Sequence, residues 1–495
     1  MTKLRRAFSR ALLPITALPV LAIAALLLLV GRPPARAVTG PAALQVEAGL
    51  PEANLSAGTV ATSTIYLPVV FNNYPPPPPI FGVQMTRGVN NAGGLAEALQ
   101  AGVHWVRFGA FYWNEIEPVR TEPPTYDWGV VPEQGLLNAA NNDLEVMAIV
   151  HFAPDWAQKV PGYACGPILE DRLDEYAQFL QALVARYSAP PYSVRYWELG
   201  NEPDIAPNLV DPGSGFGCWG DQLDPYYGGG YYAEMLKVAY PAIKAADPKA
   251  QILIGGLLLN CDPRVPGACS DPKPPLFLEG ILANGGGDYF DIVSFHSYTY
   301  YDWGLGLGYM SNENWPGSVT SIPEKTQFLR QVLDNYGYGG KPLVNTESAL
   351  LCYQPVDECF VTQAMYVPRA YAEALAYGLE SQIYYAIIND WWLHTGLLLP
   401  DLTPKPAYDA YQAAASFLSS AEYENPVTDY PVGIEGYSFL DGNTLGHVDV
   451  IWSGDGSIVA LNLPAGSEAY DYYGSFVASS GTVYANYSPL YIVRP

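Results

Sequence analysis

The chain of 495 residues carries 24 basic and 49 acidic side chains, a formal net charge of −25, and 49% of it is hydrophobic, which excludes a disordered acidic tail. Nothing in it forms a basic stripe able to neutralise phosphates, so a nucleic-acid partner is excluded as well. Aromatics reach 13%, with 38 Tyr and 11 Trp, and beside so few charges they suit a neutral, polyhydroxylated ligand better than an ionic one.

Residues 1–37 read as an export signal: Lys3, Arg5, Arg6 and Arg10, then an apolar run from Leu18 to Val30, then Ala35-Arg36-Ala37 as a cleavage site. The stretch from Ala11 to Gly31 is also about long enough for an uncleaved anchor if Pro14 and Pro19 are tolerated. The protein is therefore expected to be secreted or extracellular, either free or tethered to a membrane or cell surface. Residues 38–79 form a linker ending in five prolines, within which Thr62 to Phe71 has strand character. All six cysteines lie beyond it, without the C-x-x-C spacing of a zinc site, and an oxidising compartment favours disulfides. Proximity in sequence pairs Cys261 with Cys269 and Cys352 with Cys359, leaving Cys165 for Cys218.

From Phe81 onward, eight short apolar runs read as strands: Phe81 to Met85, Trp105 to Phe108, Glu145 to His151, Val194 to Leu199, Gln251 to Gly256, Tyr289 to Phe295, Pro342 to Asn345 and Gln382 to Ile387. Helical periods separate them at Gly94 to Ala101, Leu173 to Tyr187, Tyr231 to Ala246, Pro323 to Tyr336 and Met365 to Gly378, and a helix Lys405 to Leu418 closes the series. This is an α/β pattern, the arithmetic of a (β/α)8 TIM barrel over residues 80–424. A doubly wound open sheet would want a Gly-rich phosphate turn after an early strand, and none follows the first two. Residues 425–495 change to short alternating strands with Gly and Asn turns, at Gly436 to Leu440, His447 to Trp452, Ser457 to Asn462 and Leu490 to Val493. They read as a small C-terminal β-sandwich, structural rather than sugar-binding.

In such a barrel the loops at the C-terminal ends of the strands converge on one mouth. Tyr196-Trp-Glu-Leu-Gly-Asn-Glu-Pro-Asp204 puts Asn201 and Glu202 beyond the fourth strand, and Pro342-Leu-Val-Asn-Thr-Glu-Ser348 puts Glu347 beyond the seventh. Two carboxylates facing each other across a cleft are what glycosidic hydrolysis needs: one protonates the leaving oxygen while the other meets the oxocarbenium-like carbon. An acid needs a raised pKa, which Trp197 and Pro203 supply as apolar neighbours; a nucleophile must stay ionised, which a cation favours, and Arg107 is the candidate. His151, at the end of the third strand, is a further candidate lining residue.

These residues resemble the glycoside hydrolases of clan A, the retaining (β/α)8 families, and family 39 most. The likeness rests on Asn201-Glu202-Pro203 and Glu347. It also rests on Val106-Arg107-Phe108 with Trp113-x-x-Ile-Glu-Pro118 and Tyr126-Asp-Trp128, Ala153-Pro-Asp-Trp-Ala157, Ser294-Phe-His-Ser-Tyr298 and Lys405-Pro-Ala. It covers roughly residues 80 to 420, and families 5, 30 and 51 share these landmarks. The resemblance implies Glu202 as general acid/base and Glu347 as nucleophile. Asn201 would bind a sugar hydroxyl, His296 and Tyr298 would orient Glu347 or the substrate, and Trp391 would be the floor on which a sugar stacks. One departure is that Ser348 and Ala349 follow Glu347 where Trp or Tyr is frequent.

The sequence therefore leads to a secreted retaining glycosidase acting as a monomer on a poly- or oligosaccharide. The alternative is a surface carbohydrate-binding protein on the same scaffold that has lost hydrolysis, against which both carboxylates stand. An esterase would need a Gly-x-Ser-x-Gly elbow, which is missing. No metal and no cofactor is expected, since five scattered His make no cluster and no Asp run has calcium-loop spacing.

Overall fold

The computed structural model describes residues 79–389, 391–444 and 446–495; the export signal, the linker up to residue 78 and the Thr62 to Phe71 strand lie outside the described residues. Eight strands build one parallel sheet: β1 (Phe81–Gln84), β2 (Trp105–Tyr112), β3 (Glu145–His151), β4 (Tyr196–Asn201), β5 (Gln251–Gly256), β6 (Val293–Tyr301), β8 (Leu343–Leu351) and β9 (Gln382–Tyr384). A two-residue antiparallel strand, β7 (Met310–Ser311), extends β6, giving the order β5-β4-β3-β2-β1-β9-β8-β6-β7. The outer strands β5 and β6 are bridged as well: Leu257 N donates to Ser294 O at 3.0 Å and His296 N to Leu257 O at 2.8 Å.

Several strand limits differ from the sequence reading: the second strand runs on to Tyr112, the fourth covers Tyr196–Asn201 and so includes Asn201, and the last ends at Tyr384. The sixth runs to Tyr301 and the seventh expected strand to Leu351, so His296, Tyr298 and Glu347 stand within strands rather than beyond them. The turn Gly286 to Tyr289 delays the start of the sixth. The helices α1 (Leu95–Gln100), α4 (Leu173–Tyr187), α5 (Gly229–Ala246), α7 (Ile322–Asn335), α8 (Asp357–Ala376) and α9 (Pro406–Leu418) match the expected periods, and α8 starts eight residues early. The short α2 (Trp113–Ile116), α3 (Glu133–Asn141) and α6 (Phe277–Ala283) were not legible. No helix among the described residues is long and apolar enough to cross a membrane. All three cysteine pairs expected from proximity are disulfides.

Side chains alternate across a strand, and here the alternation stacks them in layers. Trp105, Met147, Leu253, Ile292, Val344 and Ile383 form one apolar layer, with Tyr196 against it. Gly82 completes the layer because a Cβ there would lie 2.2 Å from Ile383 and 2.8 Å from Trp105. Two residues further along their strands the layer becomes polar, with Gln84, Arg107, Glu198, Ser294 and Thr346 joined by hydrogen bonds. The site stands on this second layer.

The C-terminal region is a six-stranded antiparallel sheet of β10 (Ala421–Pro426), β11 (Ile434–Asp441), β12 (His447–Ser453), β17 (Leu490–Arg494), β14 (Glu468–Asp471) and β15 (Phe476–Ala478). A two-stranded sheet accompanies it, β13 (Val459–Asn462) with β16 (Thr482–Ala485). Four of these strands were not foreseen, and the first starts at Ala421, ahead of the expected limit at 425. This region shares its core with α8 and α9. Phe417 stacks on Tyr491 with ring centroids 4.4 Å apart, and the Arg369 guanidinium lies 5.0 Å from the Trp452 ring while donating to Tyr487 O at 2.8 Å.

One turn along α8, the buried Glu373 accepts hydrogen bonds from Ser318 Oγ at 2.6 Å and from Thr320 Oγ1. Burial pushes its carboxyl up to about 7, against the pull of those two hydroxyls. A carboxyl whose folded pKa lies above its unfolded value weakens the fold as pH rises between the two, because the unfolded chain releases its proton first. Glu373→Gln removes this penalty. Its unfolding free energy relative to wild type is therefore expected to improve by about 3 kcal/mol between pH 4.5 and pH 8 in urea titrations, with no further gain above. An unchanged difference across that window would contradict the assignment.

Candidate active site

Arg107 is the hub. Fully buried on β2, it places Nε 2.6 Å from Glu198 Oε2, one terminal nitrogen 2.5 Å from Glu347 Oε1 and 3.1 Å from Gln84 Oε1, and the other 2.7 Å from Asn201 Oδ1. Burial alone would lower its pKa; Glu198 and Glu347 outweigh that and raise it. Glu198 is anchored in turn by Ser294 Oγ at 3.0 Å and Thr346 Oγ1 at 2.9 Å.

Both Thr346 and Glu347 reach this cluster although they are neighbours on one strand. The pairing explains it: Asn345 faces Phe295 and Glu347 faces His296, so Thr346 is an extra residue, a bulge in β8. A bulge re-aims the following side chain, and Glu347 thereby shares the face of Thr346. Glu202, 2% exposed, follows the end of β4 with a left-handed backbone, φ 51°, its N–H held by Gly256 O at 2.9 Å.

The two carboxylates meet at His296. Its Nδ1 is 2.8 Å from Glu202 Oε1 and 3.6 Å from Glu347 Oε2. One oxygen of each carboxylate and one imidazole nitrogen all lie within 4.8 Å of one another. Glu202 Oε2 and His296 Nε2 have no protein partner. Gly256 makes room for the imidazole, since a Cβ there would sit 2.2 Å from His296 Nε2 and 2.7 Å from Thr346 Oγ1. Tyr298 donates its hydroxyl to Glu347 Oε2. Buried Lys325 of α7 donates to His296 O at 2.7 Å and Leu258 O at 2.8 Å, and burial brings it down to about 7.

The environments separate the two acids. Burial, then Glu347 and Asp204, push the Glu202 carboxyl well above the usual range, which favours its protonated form. Burial leaves the Glu347 carboxyl above its ordinary value as well, although Arg107 and the Tyr298 hydroxyl act against that rise. Glu202, His296 and Glu347 are the one group among the described residues with the donor set for a metal ion. Arg107 takes one oxygen of Glu347, and both Arg107 and Lys325 act on His296 as positive charges.

Arg107, Asn201, Glu202, His296, Tyr298 and Glu347 thus share one cluster. His151 borders it differently, its Nε2 3.2 Å from Phe216 O. Asn201 Nδ2 donates to Gly215 O at 3.3 Å, and the same loop is tied by Cys165–Cys218. Trp391, expected as the stacking floor, is 71% exposed. The ring packed edge-on to Tyr298, centroids 5.1 Å apart, is Trp392, with Tyr385 beside both. Gln84, Glu198, Gly256, Lys325, Tyr385 and Trp392 were missed. Of these Glu198 alone carried a signal, as an acid in the middle of an otherwise apolar strand that demands a buried cation.

Both histidines are held neutral. Burial, then Arg107 and Lys325, lower His296 well below its ordinary value, and burial brings His151 down to about 4. In 15N-edited NMR both imidazoles are expected to stay neutral at pH 5.5, and an imidazolium signal from His296 there would overturn the electrostatic reading.

No protein-family model and no curated protein matches the chain. Among solved structures it is similar to a family 39 glycoside hydrolase from Bacteroides cellulosilyticus WH2, with 19% identity and a TM-score of 0.64 over 84% of this chain and 81% of that one. It is similar also to a monomeric beta-xylosidase from Caulobacter crescentus CB15, with 16% identity and 0.54 over 84% and 97%. A third likeness is to an alpha-L-arabinofuranosidase from Thermotoga maritima, with 12% identity and 0.51 over 84% and 96%. At these identities the shared property is the fold.

Proposed function

We propose that the protein is a retaining glycoside hydrolase that cleaves an O-glycosidic bond of a poly- or oligosaccharide by double displacement. The observation that carries this reading is the pair Glu202 and Glu347, with oxygens within 4.8 Å of each other and opposite electrostatic surroundings. A retaining pair stands about 5 to 5.5 Å apart, whereas an inverting pair leaves room for water at roughly 6.5 to 9.5 Å. The fold of the glycosidases to which the chain is similar supports the same reading, with the bridged sheet read as a closed (β/α)8 barrel.

In the first step Glu202 gives its proton to the glycosidic oxygen while the Glu347 carboxylate attacks the anomeric carbon. The bond to the leaving sugar breaks and a glycosyl ester forms on Glu347. Glu202, now ionised, takes a proton from water, whose oxygen attacks the same carbon and releases Glu347. Arg107 and Tyr298 hold the nucleophile ionised and aimed, and neutral His296 fixes Glu202 without adding a charge beside it. Asn201 stands at the rim with its carbonyl turned to Arg107, leaving its amide to exchange Gly215 for a sugar hydroxyl. The three disulfides support an extracellular place of action, with the C-terminal sheets as a structural flank.

The test is hydrolysis of an aryl glycoside panel by residues 38–495, with the product anomer followed by 1H NMR. Retention is expected. Glu347→Ala should lose about 10⁴-fold in kcat or more, and azide should restore turnover to Glu202→Ala on activated substrates. The pH–rate profile should be a bell, its acidic limb from ionising Glu347 and its basic limb from deprotonating Glu202. Inversion, or activity indifferent to both changes, would overturn the proposal.

A further inference from the structure

The inner face of β6 does not end at the carboxylates. Residues on one face of a strand recur every second position, and on β6 they are Ser294, His296, Tyr298 and Tyr300. Solvent exposure rises along that row: Ser294 and His296 are fully buried, Tyr298 is half-buried, and Tyr300 is 38% exposed. The paired strand β8 keeps step, with His296 facing Glu347, Tyr298 facing Ala349 and Tyr300 facing Leu351. Two residues beyond Leu351 comes Tyr353, 52% exposed, its ring 6.0 Å from that of Tyr300 with the planes only 14° apart. Cys352, bonded to Cys359 and donating its N–H to Leu393 O at 2.9 Å, fixes the backbone beneath it. Exposed Trp303 is not part of this row, because it packs edge-on to Tyr301 on the opposite face.

We infer that Tyr300 and Tyr353 are the platform for a second sugar residue, next to the one held at the Glu202–Glu347 pair. Tyr300 stands about 7 Å along the strand from Tyr298, on the order of one sugar ring. Two near-parallel, partly exposed rings with apolar faces and phenolic edges match the alternately apolar and hydroxylated surface of a neutral sugar. The natural substrate is therefore a neutral oligosaccharide or polysaccharide rather than a single sugar on a non-carbohydrate group. This inference rests on the glycosidase reading above.

The test compares wild type, Tyr300→Ala, Tyr353→Ala and Tyr300→Phe on two substrates built from the sugar the wild type accepts: its glycosyl fluoride, which fills only the reacting position, and its di- to tetrasaccharides. Each Ala variant is expected to raise KM for the oligosaccharides about tenfold, leave the fluoride unchanged, and be matched by retained affinity in Tyr300→Phe. Equal losses on both substrates, or none on either, would overturn the platform while leaving the glycosidase reading intact. If the wild type hydrolyses neither, that reading falls, and calorimetric titration with cello-, xylo- and manno-tetrasaccharides decides the platform alone. Binding weakened by the Ala changes supports it, and absence of binding to wild type overturns it.

Discussion

A single guanidinium organises the centre of this protein. Arg107 lies in the polar layer of the sheet with no exposure to water, and it is stable there because acceptors from β1, β4 and β8 converge on it. Unpaired burial of such a charge is prohibitively costly, so the surrounding residues are constrained by the cation as much as by the chemistry. Glu198 neutralises it from within the layer; Glu347, one level up, shares it. The same contact that satisfies the arginine offsets part of what burial does to the Glu347 carboxyl, favouring its ionised form.

The second carboxylate is treated in the opposite way. Glu202 has no cation at hydrogen-bond distance; its neighbour is an imidazole that burial and two nearby cations keep uncharged. Position along the strands, not residue type, gives two otherwise identical side chains different surroundings.

Much of this was visible in the sequence because barrel-like sheets repeat a simple unit. Eight apolar runs separated by helical periods marked the parallel strands, and Glu202 and Glu347 stood out as acids near the ends of two of them. What escaped has physical reasons. The extra residue at Thr346 has no signature in residue type, since a bulge is a property of pairing. The limits of β6 were misread because Ser294 to Tyr301 mixes polar and aromatic residues, which looks like a loop until the polar face is seen to line a site. Trp391 and Trp392 are indistinguishable as letters, and only backbone direction decides which ring turns inward. Lys325 belongs to a helix whose pattern gave no reason to expect a charge facing the sheet.

The bulge in β8 makes the site depend on counting. With Thr346 and Glu347 side by side on one face, the same residues paired in regular alternation would turn Glu347 from the mouth of the sheet toward the helices. The apolar layer below, anchored by Val344 and Ile383, would hardly register the change. The frame of the strand, more than the identity of any amino acid, is the inherited quantity on which the chemistry rests.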